Sequence, residues 1–301
     1  MTTSFDIDTL RAVVAGIEQG SFARAANELG RSQSAVSMQL KKLEQLTGVQ
    51  LFVRRGRGLV PTEAGETLTQ YARQLIALND EAARAVGAAV APETVRLGLP
   101  QDFYDDVMPA TLNAFSDLHP EVHVTVQAGN NHTMNDDIEA GRLDGAIAFF
   151  PKYSGAKGQL LCELPLRWLA HESYAEPTEN AIVPLVLFNH PCLFRQAALA
   201  SLDQAGLRWR AALTTPSLAA VWAALRSEFG IGVRIEHGVP ADIVDVGNRT
   251  YLPALPSVEL RLLGSPATST LASDMMAVLK ATTIGVIENW KPATEQVSPG
   301  I

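Results

Sequence analysis

SFARAANELGRSQSAVSMQLKK, residues 21–42, is the stretch on which the rest of the chain is organised. Phe22, Ala25, Ala26 and Leu29 recur at helical spacing behind Ser21, a good N-cap, and Gly30 ends that helix because it can take positive φ without strain. Ser32 caps a second helix that runs to Gly48. At 100° per residue, Val36, Leu40 and Leu43 fall within about 60° of arc and face inward. Ser34, Ser37, Met38 and Lys41 fall on the other side, and Gln33 reaches out from the first turn. An exposed face of small polar and basic residues lets a helix axis approach the base edges of a DNA major groove.

Working outward, Asp6 caps an earlier helix carrying Ile7, Leu10, Val13, Val14 and Ile17 and ending at Gly20. After Gly48 come two short extended pieces, 50–54 and 58–60, joined by Arg55-Gly56-Arg57. This reads as a β-wing whose arginines, Arg54, Arg55 and Arg57, flank a groove and neutralise phosphates. Paired helices also occur in folds that never touch DNA. Here the cap, the glycine turn, the small exposed face and the basic wing all point the same way.

Charge supports that division. The 301-residue chain has a net charge of −8, an odd value for a nucleic-acid binder, but residues 1–91 hold ten Lys/Arg against nine Asp/Glu. Between Arg31 and Arg57 six basic residues face one acidic residue, Glu44, and the acidic excess lies beyond residue 91. The positive charge is concentrated where a phosphate backbone would run.

These residues also carry a family resemblance. Gly20-Ser21-Phe22, Ala25-Ala26, Leu29, Ser32-Gln33-Ser34-Ala35-Val36-Ser37, Leu43-Glu44, Gly48, Leu51-Phe52, Arg54 and Thr62-x-Ala64-Gly65 resemble the winged helix–turn–helix of LysR-type transcriptional regulators. The resemblance implies that Gln33, Ser34, Ser37 and Met38 meet base edges. Arg31, Ser32, Lys41, Lys42 and the wing arginines would then lie along the backbone. Met38 stands where many members carry arginine, which favours a thymine methyl over guanine at that position. Pro61 replaces a usual leucine at the exit of the wing.

From Thr62 to about Val90 there is no proline, and Ala64, Leu68, Tyr71, Leu75, Leu78, Ala82, Ala85 and Ala89 step by four and three. That is a heptad seam, expected to pair with a second chain through Leu68, Tyr71, Leu75, Leu78 and Ala82. The resemblance implies the same, a homodimer that commonly builds a homotetramer. A dimer would read a pseudo-palindromic operator in double-stranded DNA.

Pro92 marks the next boundary, giving three regions: a DNA-binding domain over 4–61, a linker helix over 62–91 and a third domain over 92–301. Beyond it, apolar runs at 95–99, 122–126 and 146–150 alternate with helical segments at 106–118 and 132–140. This order predicts a mainly parallel sheet covered by helices. A second series follows with strands at 182–188, 209–214 and 231–235 and helices at 194–205 and 218–229, and the pieces 258–263 and 271–288 return to the first. The predicted fold class is α+β: a winged helix–turn–helix, a long helix, and a two-lobed α/β domain. The last resembles the LysR-type effector-binding domain, itself shaped like periplasmic binding proteins, and LGLPQDF and IEAGRLDGAIAF point to the branch containing LrhA and HexA.

A crevice is expected at the carboxyl ends of the strands. Its candidate residues are Pro100, Gln101, Asp102, Asn130, Asn131, Phe149, Phe150, Asn189, Arg195, Thr215 and Ser217. Arg195 at a helix start could hold a carboxylate, with Asp102 opposite taking an amine, so a carboxylate or amino-acid-like effector is one expectation. The alternative reading makes Asp102 and Ser217 N-caps and has Arg195 brace its own helix through a surface ion pair.

No phosphate loop, dinucleotide glycine motif, G-x-S-x-G or H-E-x-x-H is present, so an enzyme is not expected. No cofactor or metal is expected either: Cys162 and Cys192 have no metal-ligand spacing and read as buried thiols. No apolar run resembles a membrane span, and the start of the chain lacks the basic and apolar regions of a signal peptide, so the expectation is cytoplasmic with no membrane partner. The alternative, a solute-binding protein without a DNA role, is opposed by the N-terminal module.

Overall fold

The computed structural model describes residues 4–55, 58–86, 94–128, 131–175, 182–247, 251–264 and 269–289. Arg57, Ala89, Pro92 and Asn130 from the sequence reading lie outside them, and of Asn131 only the backbone is described. By internal contacts the chain divides into two units, one built on residues 1–93 and one on most of the remainder.

In the first unit, α1 (Ile7–Glu18), α2 (Phe22–Glu28) and α3 (Gln33–Thr47) are followed by the hairpin β1 (Phe52–Arg55) and β2 (Gly58–Pro61) and then by α4 (Glu63–Ala85). All three expected caps form: Asp6 accepts from the Thr9 N–H, Ser21 from Arg24 and Ser32 from Ala35. Gly20, Gly30 and Gly48 take positive φ where each helix ends. Leu10, Val13, Phe22, Val36, Leu40 and Leu43 make one core with Leu51 and Phe52 of the wing, where Phe22 and Phe52 meet edge to face at 5.1 Å. Burial of these side chains, worth roughly 1.5–3 kcal/mol each, fixes the angle between the helices.

The wing is tied down by polar bonds too. The Glu44 carboxylate accepts from the Leu51 and Phe52 N–H groups at 2.8 and 3.1 Å, so the single acid of the basic stretch has a structural task. Thr62 accepts from Gly65 N–H and so caps α4, while its hydroxyl donates back to the Gln50 carbonyl at 2.9 Å.

The heptad reading of α4 needs correcting at its start. Leu68 is buried in the first unit's own core with Ala72, and Ala64 and Ile76 pack against that core. Residues 64, 68, 72 and 76 therefore form an intrachain face. Tyr71, Leu75 and Leu78 lie on another side, 58, 39 and 63% exposed, and Ala82 is exposed with them.

The second unit has two lobes. In the first, β3 (Thr94–Leu99) runs parallel to both β4 (His123–Ala128) and β5 (Gly145–Pro151), as the βαβαβ order predicts. The helices α5 (Val107–Leu118) and α6 (Asn131–Glu139) provide the crossovers. A strand the sequence reading missed, β6 (Gln159–His171), joins the lobes. Up to Pro165 it pairs antiparallel with β11 (Ser257–Gly264), and from Leu166 it pairs with β9 (Gly232–Ile235). Proline, with no N–H to give, sits where the strand changes partners. Its charges, Glu163 and Arg167, obscured an apolar alternation spread over 13 residues.

The second lobe adds β7 (Val183–Phe188), α7 (Leu193–Gln204), β8 (Trp209–Thr215), α8 (Leu218–Arg226) and the short β10 (Ile243–Asp245), also unforeseen. The last described element is α9 (Thr270–Asn289), expected as a helix over 271–288; by length and composition it is apolar enough to cross a membrane, where no apolar run was expected to resemble a span. Ala272, Met275, Leu279 and Thr283 on one stripe are buried, and Thr282 hydrogen-bonds Thr111 of α5, which is the behaviour of a covering helix.

Candidate functional site

The outer face of α3 is the first candidate. Gln33, Ser34, Ser37, Met38, Lys41 and Lys42 are all exposed, Met38 to 72%. Val36, Leu40 and Leu43 are buried on the opposite side of the helix. Arg54 and Arg55 project from β1 in the same unit, also exposed. Two expected contacts are already committed elsewhere. Arg31 pairs with Asp8 of α1 at 2.6 Å, a surface pair that the sequence did not announce. The Ser32 hydroxyl caps α3 and lies 3.0 Å from that of Ser34.

The second candidate lies between the lobes of the second unit, a cavity of about 210 Å³. Pro100, Gln101, Asp102, Ala128 and Phe149 line it from the first lobe. From the second come Phe188 to Cys192, Phe194, Pro216 and Arg234. Of the expected crevice residues, Pro100, Gln101, Asp102, Phe149 and Asn189 are there. Phe150 lines a neighbouring hollow instead.

Four of the expected crevice side chains are engaged elsewhere, Arg195 and Ser217 in the way the alternative reading had it. Asp102 does not face Arg195; it is buried and holds Arg234 through two bonds, Nε to Oδ1 at 3.0 Å and Nη2 to Oδ2. Arg195 donates to the Phe188 carbonyl at 3.2 Å, bracing its own helix rather than lining the main cavity. Ser217 N-caps α8 through the Ala220 N–H, and Thr215 accepts from the Ser217 N–H, so both serve the turn.

Arg234 was missed altogether. It lies on β9, every residue of which is buried, with its guanidinium 4.6 Å from the Phe188 ring centre and 4.7 Å from that of Phe194. The signal was available: an arginine inside the apolar run 231–235 must find a partner when buried.

The segment after β3 makes several polar crossings between the lobes. Gln101 donates to the Pro216 carbonyl at 3.1 Å and accepts from the Leu218 N–H at 2.8 Å, which satisfies an orphan donor of α8. Asp106 contacts His237 Nε2 at 2.5 Å. Burial works to raise the Asp106 pKa, but the bonds from His237 and the Val107 N–H outweigh it and hold the carboxyl below its usual value. Cys162 is a free thiol on β6, its pKa pushed up to about 11 by burial. Cys192, also free, stands at the start of α7 without a side-chain capping bond.

An N-terminal winged helix–turn–helix followed by a two-lobed domain is the architecture of one large class of bacterial regulators. Residues 7–66 match the bacterial regulatory helix-turn-helix protein, lysR family, and residues 89–264 match the LysR substrate binding domain. The chain belongs to the LysR family: it is a DNA-binding transcriptional regulator with an effector-binding domain, and the family consists of regulators rather than enzymes. It is 34% identical to the HTH-type transcriptional regulator DgdR of Burkholderia cepacia, over 86% of this chain and 87% of that one. It is 32% identical to the HTH-type transcriptional regulator PecT of Dickeya dadantii, over 87 and 83%. Among solved structures, full-length LysG of Corynebacterium glutamicum with bound effector Arg has the same fold, at a TM-score of 0.64 and 21% identity over 96% of this chain and 100% of that one.

Proposed function

We propose that the α3 face reads an operator and that a small molecule in the inter-lobe cavity controls the reading. The observation that carries this is a cavity walled from both lobes, in a chain whose N-terminal unit exposes a small polar helix face beside a basic hairpin. LysG with its bound effector supports the second half by analogy of fold. The working division is 4–61 for DNA binding, 62–91 for the linker helix and 92–301 for the effector. A ligand held by both lobes shifts the balance between two lobe arrangements only as far as it binds them differently.

In this reading Gln33, Ser34, Ser37 and Met38 contact base edges, and Lys41, Lys42, Arg54, Arg55 and Arg57 contact phosphate. Gln33→Ala and Ser37→Ala each cost about 1–3 kcal/mol on the operator and little on random DNA of equal length. Arg54→Ala and Arg55→Ala weaken both DNAs alike and flatten the salt dependence. Electrophoretic shifts of a fragment from the gene's own upstream region test this. Equal losses on specific and random DNA in both sets would contradict the assignment.

The exposed stripe Tyr71, Leu75, Leu78 and Ala82 pairs with a second copy, so the working species is a homodimer or a tetramer of such dimers. Leu75→Glu with Leu78→Glu shifts the sedimentation of the full chain toward monomer and weakens operator binding by more than tenfold, by loss of the second half-site. A double variant that sediments and binds like the parent would remove the seam from this account. The protein so described is a soluble cytoplasmic regulator without catalytic activity.

A further inference from the structure

We infer that the inter-lobe cavity takes an uncharged aromatic molecule rather than a carboxylate, an amine or a zwitterion; this deepens the effector reading above and rests on it.

The argument starts from charge. Among the described residues, Asp102 is the one acid and Arg234 the one Lys or Arg lining the cavity, beside the imidazole of His190, and the two neutralise each other through two bonds, with side chains 3 and 7% exposed. The Nε–Nη2 edge of the guanidinium is therefore given to the Asp102 carboxylate. Its faces are given to rings, with Phe188 and Phe194 at 4.6 and 4.7 Å. An entering carboxylate would meet an arginine already paired and would sit beside the Asp102 carboxylate. An entering ammonium would meet a carboxylate already bound twice. Either adds a charge that this pair, already neutral, does not balance, so the pair does not repay its desolvation.

Shape gives the second half. Phe149 lies against Phe194 across the crevice, ring centres 5.0 Å apart, and Pro100, Pro191 and Pro216 supply further flat apolar walls. An engineered cavity of about 150 Å³ admits benzene. At about 210 Å³ this one suits a substituted single ring or a small fused pair. The polar edge of such a ligand has the Asn189 amide within the lining to meet it. A ring carrying an amide, a ketone or a phenolic hydroxyl fits; the same ring carrying a carboxylate does not.

Matched pairs isolate the charge. The full-length protein is soaked and titrated with benzamide and benzoate, with indole-3-carboxamide and indole-3-carboxylate, and with a fragment set of neutral aromatics, aromatic carboxylates and aromatic amines. The expected result is crystallographic occupancy of the crevice by neutral members alone, with each amide binding more tightly than its carboxylate. Crevice occupancy by the carboxylates or amines in preference to the neutral partners overturns this inference while leaving the effector reading intact. Occupancy by none of them overturns both.

Asp102→Asn supplies a second measurement, since it keeps a hydrogen-bonding side chain of the same shape but leaves the Arg234 charge unbalanced. Carboxylates then gain about tenfold or more on their amides, the worth of a charge-assisted bond. An unchanged amide preference in a folded Asp102→Asn protein also counts against the inference. The wild-type comparison stands alone if that variant fails to fold.

Discussion

Asp102→Ala lowers the stability of the effector-binding domain by about 3–5 kcal/mol, because it leaves the Arg234 guanidinium buried without its counter-charge. Arg234 is held on a strand with no exposed residue. The measurement is guanidinium-induced unfolding of the full chain followed by tryptophan fluorescence. All four tryptophans, Trp168, Trp209, Trp222 and Trp290, lie beyond residue 93, so the signal reports this domain. Adding Arg234→Met to Asp102→Ala recovers much of the loss, since an apolar pair of similar volume replaces a broken ion pair. If Asp102→Ala unfolds within 1 kcal/mol of the parent, about the worth of a surface pair, the bridge is not the buried link described.

Gly65→Ala is the second large effect, and it falls on the other unit. A Cβ at Gly65 would stand 2.0 Å from the Leu51 carbonyl oxygen and 3.1 Å from its carbon. That carbonyl already accepts from the Thr62 N–H at 2.9 Å and from the Thr62 hydroxyl at 3.2 Å, so the backbone cannot retreat without breaking the joint between wing and helix. Overpacking of this kind costs about 1–3 kcal/mol or more. Operator affinity and protease resistance of the N-terminal unit both fall, with tryptophan fluorescence unmoved. Gly58→Ala is the control, since a Cβ there meets nothing within 4 Å. Gly65→Ala behaving like Gly58→Ala would mean that the joint yields.

The two variants also mark how far the chain could be read in advance. Thr62 and Gly65 entered the sequence reading as part of a family pattern; the physical cause, a capping hydroxyl and a backbone contact too close for a Cβ, came from the fold. Local signals carried the first unit well. Caps, glycine stops and apolar spacing act within a few residues, so Asp6, Ser21, Ser32 and Gly48 could be assigned from neighbours alone. Leu68 was misplaced because an apolar stripe on α4 says only that something covers it. Its own α1 and wing cover the early part, leaving Tyr71, Leu75 and Leu78 exposed.

In the second unit the alternation of strands and helices was legible, and the sheet order followed it through β3, β4 and β5. The strand that unites the lobes was not, since β6 divides its pairing between two neighbours and carries charges along its length. The cavity was located from strand ends, yet the arginine that meets Asp102 there is Arg234 and not Arg195. Asp102 and Arg234 are 132 positions apart, and pairing across that distance depends on how two lobes close, which no local pattern encodes.

By itself, then, the amino-acid sequence determined that this protein is a winged helix–turn–helix joined by a long helix to a two-lobed domain. Helix spacing, capping and β-strand alternation are short-range properties, and family motifs are written in them. Only the tertiary structure decided which face of α4 is left uncovered and which charges are already spoken for, Asp102 and Arg234 in the cavity lining among them. Those are sums over side chains distant in the chain, fixed by packing and desolvation once the elements have met.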